Sequence, residues 1–128
     1  MKSRLCGVVA AVTFAWSGIA SPQYADQDEP QHGGVTNWNT NSEYSFELVS
    51  RKTGVTLYIE DHEAPVPTKG AKGTLVIRGG ATSNTKSLVP AGDNRMVAPR
   101  VSTKPGDQVV ATVTLANGTV MIGRFVVL

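Results

Sequence analysis

Apolar residues recur at every second position in short runs along this chain, and Gly, Pro, Asn or Asp closes each run. A period of two puts alternate side chains on one face of an extended strand, so the pattern commits the chain to half-buried β-strands. Tyr44, Phe46 and Leu48 alternate with Ser45 and Glu47. After a turn-like break at residues 51–54, Val55, Leu57 and Ile59 alternate with Thr56, Tyr58 and Glu60, and the two runs make a hairpin. Residues 63–71 hold Pro65, Pro67 and Gly70 and read as a loop. Further strands are expected at 74–78, 86–89, 95–98, 108–115 and 119–127, the last two joined at Asn117-Gly118. About seven short strands without helical periodicity predict an all-β fold, an immunoglobulin-like antiparallel β-sandwich over residues 42–128. A small barrel is the runner-up.

What precedes the sandwich reads differently. Residues 1–20 have the pattern of a secretory signal peptide: Lys2 and Arg4, an apolar run over 5–16, then Gly18-Ile19-Ala20 as a signal peptidase site. A second option lies after Ala25, with a poorly fitting Gln23. The run is short for a bilayer-spanning helix of ~20 apolar residues, so a soluble exported product with no membrane insertion after processing is expected. Residues 21–41, polar with Pro22, Pro30, Gly33 and Gly34, read as a flexible leader that Trp38 docks onto the body.

Charge and cysteine content then exclude several function classes. The full chain of 128 residues has 12 Lys+Arg and 10 Asp+Glu. Two of the basic residues lie in the signal segment, so the processed chain is formally neutral. Nucleic-acid binding calls for a basic excess on one face, which the sequence lacks. Cys6, the only cysteine, also leaves with the signal, which removes disulfides, thiol catalysis and thiolate metal sites from the processed chain. No Gly-x-Ser-x-Gly segment or phosphate-cradling glycine loop is present, so the protein reads as a non-enzyme.

Two histidines are the remaining chemistry. Glu60-Asp61-His62-Glu63 gathers imidazole and carboxylates at a strand end, and His32-Gly33-Gly34 places a second imidazole on a glycine-flanked segment. Imidazole and carboxylate are ligands for Zn²⁺ and Cu²⁺, and His32 with His62, assisted by Glu60, Asp61 and Glu63, is the candidate metal set. The plainer alternatives are a solvated turn and an ordinary linker. Met96 and Met121 read as core filler, and Trp38 with Tyr58 would serve a sugar-stacking alternative.

Several segments together resemble one family: His32-Gly33-Gly34, the strand over 44–49, Leu57-Tyr58 followed by Asp61-His62, Pro65-Val66, the run Pro90-Ala91-Gly92-Asp93-Asn94-Arg95-Met96, and Arg124-Phe125. They are similar to small exported β-sandwich proteins that accompany bacterial heavy-metal efflux genes. They are similar also to the His-Gly-Gly amino-terminal domain of periplasmic heavy-metal efflux adaptor subunits. The resemblance covers roughly residues 32–128. It implies a periplasmic location, handling of a transition metal ion such as copper or zinc, and an efflux component as partner. His32 matches the leading histidine, His62 the histidine after the second strand, and residues 90–96 a family turn without ligands. The adaptor's coiled-coil hairpin and lipoyl-like parts are not in this chain. A metal-free interaction module that docks on a periplasmic partner by strand pairing is the alternative function.

Overall fold

A computed structural model describes residues 29–37, 44–62 and 64–128. These residues are all-β. The nine strands are β1 (Val35–Thr36), β2 (Tyr44–Arg51), β3 (Gly54–Asp61), β4 (Ala64–Pro65), β5 (Lys72–Gly79), β6 (Thr82–Pro90), β7 (Arg95–Pro99), β8 (Gln108–Thr114) and β9 (Val120–Val126). All pairings are antiparallel, in the order β1-β2-β3-β7-β6-β5-β8-β9, with β4 a short addition to β3. The seven longer strands are those the alternation predicts. β6 is longer than its apolar content suggests, because its first half is polar and exposed on both faces.

The order is that of an immunoglobulin-type Greek key. The β2–β3 hairpin and β7 form one sheet; β5, β8 and β9 form the other. β6 belongs to both: residues 82–88 pair with β5, and Val89 and Pro90 pair with β7. β9 approaches β1 and β2 across the far edge, so the sandwich nearly closes on itself.

The alternation decides which residues fill the interior. Phe46, Leu48, Val55, Leu57 and Ile59 from β2 and β3 meet Leu75, Ile77, Val109, Ala111, Val113, Met121 and Phe125 from the facing sheet. Met96 is fully buried within this cluster, as its reading as core filler expects. Among the described residues no helix is long and apolar enough to cross a membrane.

The loop after β4 is tied to the turn after β6. The Thr68 backbone N–H donates to Asp93 O at 2.9 Å, and its hydroxyl donates to Arg95 O at 2.8 Å. Asn94 donates through Nδ2 to Ile59 O at 3.1 Å. The run over 90–96 is therefore a structural turn, closed by Arg95 N–H on Gly92 O and by Ala91 N–H on Arg95 O. Thr68 is completely buried, so Thr68→Val keeps the volume and removes the hydroxyl's hydrogen bond to Arg95 O, which still accepts from Ala91 N–H. Urea unfolding should show a loss of about 0.5–1.5 kcal/mol for Thr68→Val. Thr85→Val on the exposed strand β6 should change stability by less than about 0.5 kcal/mol.

Candidate functional site

Strand alternation aims Glu47 away from the core, on the outer face of β2, opposite Tyr58 of β3. An outward glutamate is normally solvated, yet Glu47 is only 7 % exposed. The segment before β1 covers it. The backbone N–H groups of Gln31, His32 and Gly34 donate to its carboxylate at 2.7, 2.8 and 2.9 Å. The His32 ring adds a fourth contact, Nδ1 to Oε1 at 3.0 Å. Successive backbone N–H groups converging on one carboxylate form an anion-binding nest.

The local sequence explains the wrap. Gly33 has φ 76°, a left-handed conformation that glycine adopts without steric cost. At Gly34 the chain lies so close to β2 that any Cβ would overlap the Leu48 carbonyl oxygen. His-Gly-Gly is thus a turn that folds three amides and one imidazole around Glu47. Val35 and Thr36 then continue as β1 on the edge of β2. Asn37 closes the junction: its N–H donates to Phe46 O, and its Oδ1 accepts from Phe46 N–H, both at 3.1 Å.

The His32 ring also packs face to face on an aromatic neighbour. Its plane stacks on Tyr58, with centroids 3.7 Å apart and planes 5° from parallel. Burial works to raise the Glu47 carboxyl pKa, but the hydrogen bonds from Gly34, His32 and Gln31 outweigh it and hold the carboxyl below its usual range. An ionised carboxylate only accepts, so the proton of the His32–Glu47 contact resides on Nδ1.

The second histidine lies elsewhere. His62 follows β3 in a left-handed conformation, φ 47°. Its Nε2 is 3.6 Å from Asp61 Oδ1, and its side chain is 70 % exposed. Asp61 Oδ1 is itself shielded from solvent and accepts no hydrogen bond. From Tyr58, where His32 stacks, to His62 is four residues of strand, about 13 Å. The structure therefore brings His62 to Asp61 and His32 to Glu47, and sets the two imidazoles at different stations along β3. Glu60 shares the outer face with Tyr58 and is paired with Ser45 and Pro65. Glu63 and Trp38 lie outside the described residues. Among the described residues, no three His, Cys, Asp or Glu side chains gather to hold a metal ion.

Residues 29–37, read from composition as part of a flexible leader, lie against the sandwich in this way. Glu47 is the residue the sequence reading passed over. Period two treats it as an ordinary solvated position, and only its pairing opposite Tyr58 gives it a role.

Comparison with protein-family models, curated proteins and solved structures gives no match.

Because the folded Glu47 carboxyl titrates below its ordinary value, its contribution to stability is complete above the unfolded carboxyl range, about 4.3. It is lost as pH falls through the lower folded value. At neutral pH, Glu47→Gln should destabilise the protein by about 1.5–3 kcal/mol in chemical denaturation, and the gap should shrink as pH drops below about 4.3. Gly34→Ala should release the segment while the sandwich persists, seen as collapse of the Gln31, His32 and Gly34 amide shifts toward random-coil positions with core amides unmoved.

Proposed function

We propose that this chain is a non-enzymatic, exported β-sandwich protein that takes up a transition metal ion, copper or zinc, as cargo in the periplasm in connection with heavy-metal efflux. The observation that carries this reading is the Asp61–His62 pair. Two donors of the right chemistry stand 3.6 Å apart at the end of β3, and one of them, Asp61 Oδ1, is shielded with no hydrogen-bond partner. Ligand bonds of about 2.0–2.2 Å from imidazole nitrogen and carboxylate oxygen to a shared ion fit an N···O separation of this size. A buried acceptor left without a donor is where an ion or water belongs.

Two donors make an open site. Water or a partner's side chains complete the coordination, and exchange is fast. That suits a protein that passes an ion on rather than storing it. Imidazole ligates only in its neutral form, so uptake releases protons and weakens in acid. The resemblance of His32-Gly33-Gly34, Asp61-His62 and residues 90–96 to efflux-associated periplasmic proteins supports the same setting. In this reading the two histidines have separate tasks: His62 holds the ion with Asp61, and His32 fastens the amino-terminal segment to Glu47 and Tyr58.

Calorimetric titration with Cu²⁺ and with Zn²⁺ tests the proposal. The protein should give a saturable heat that His62→Ala and Asp61→Asn abolish and His32→Ala retains. Equal heats from the protein and His62→Ala would overturn it.

A further inference from the structure

The two ends of β3 differ in charge. The turn that joins it to β2, residues 51–54, carries Arg51 and Lys52, and the far end carries Glu60 and Asp61. The length of β3, about 23 Å, separates them.

Backbone contacts bring two more cations to the turn. Arg51 is registered opposite Gly54, and Gly54 opposite Pro99 of β7. The next residue, Arg100, donates its N–H to Thr53 O at 3.1 Å. The chain then passes back beside β2: the Thr103 hydroxyl donates to Ser50 Oγ at 2.7 Å, and Lys104 follows it. Arg51, Lys52, Arg100 and Lys104 are all exposed. Among the described residues none of them pairs with a carboxylate. Asp107, next to this segment, accepts the Lys104 backbone N–H through Oδ2 at 2.8 Å.

Arg100 is the informative member. Its φ is 61°, in the left-handed region that a bulky residue enters at a cost and glycine enters freely. The backbone therefore favours glycine at position 100. Among the described residues the Arg100 side chain makes no hydrogen bond or ion pair that would offset the cost. Its contribution is a positive charge beside Lys52.

We propose that this end of the sandwich is an electrostatic docking patch for an acidic segment of a partner protein. Charge complementarity selects the occupant, since unpaired cations on adjoining chain segments favour an anionic partner. Spacing narrows it further. Arg51 ends β2 and Arg100 follows β7, two strands away, so the cations spread over about 10 Å. That is wider than one carboxylate or phosphate group, and it suits an extended segment with acidic residues at alternate positions, ~6.8 Å apart. A lipid surface fits less well, because residues 50–54 and 99–104 supply no exposed large apolar side chain to insert. A contact made by charge forms fast and weakens steeply with salt. The inference uses neither His62 nor Asp61, which lie at the far end of β3, so it stands or falls apart from the metal reading.

The probe is a fluorescent peptide of about ten residues alternating Glu with Ser, matched to a Gln/Ser isostere. Anisotropy at about 0.05 M salt should show binding that weakens roughly tenfold or more for the isostere, for Arg51→Glu/Lys52→Glu and at about 0.5 M salt. Arg100→Gln and Arg100→Gly should each weaken it about threefold. Arg100→Gly should also unfold at the same or a higher temperature than the protein, because glycine relieves the backbone. Amide shifts caused by the peptide should map to residues 50–54 and 99–104. Equal binding by peptide and isostere would overturn the proposal. So would shifts confined to other parts of the chain, or tighter binding to phosphatidylglycerol vesicles than to the peptide. A lower unfolding temperature for Arg100→Gly would overturn it too, by giving the arginine a place in the fold instead.

Discussion

A carboxylate on the outer face of a β-sheet normally stays in water, because removing its charge from solvent is costly unless hydrogen bonds replace the lost hydration. Glu47 is covered, and the donors that replace its water come from one short stretch, the amides of Gln31, His32 and Gly34 and the His32 ring. The remaining features of the amino-terminal region follow from that exchange. Wrapping the carboxylate requires the left-handed Gly33 and the side-chain-free Gly34. It delivers Val35 and Thr36 to the edge of β2 as β1, and it lays the imidazole on Tyr58. One buried charge thus determines where the segment runs.

The same contact sets the two histidines in different surroundings. His32 has its Nδ1 committed to Glu47 and its ring face committed to Tyr58. His62 is mostly exposed, strained into a left-handed backbone and set beside an unsatisfied oxygen of Asp61. In the proposed function His62 and Asp61 are the pair that takes the ion. An imidazole already engaged on two sides is a structural fastener.

The fold was largely legible in the sequence because its signal is local. Phe46, Leu48, Val55, Leu57 and Ile59 announce their burial by period two, and Asn117-Gly118 announces a hairpin. β6 was only half legible, since Thr82 to Ser87 is polar on both faces and pairs through its backbone. The site was less legible for a different reason. Glu47 and His32 are 15 residues apart, and their contact depends on a turn whose geometry rests on two glycines. Composition gave residues 21–41 too few apolar groups to order themselves, and that arithmetic omits a charge on the body able to order part of them.

The Glu47–His32 contact holds the amino-terminal segment in place, and the imidazole nitrogens report it directly. A long-range ¹H–¹⁵N correlation spectrum at neutral pH should show His32 held as the Nδ1–H tautomer, with Glu47→Gln returning it to the averaged pattern of a free imidazole. A His32 protonated chiefly on Nε2, or a spectrum that Glu47→Gln leaves unchanged, would contradict the account.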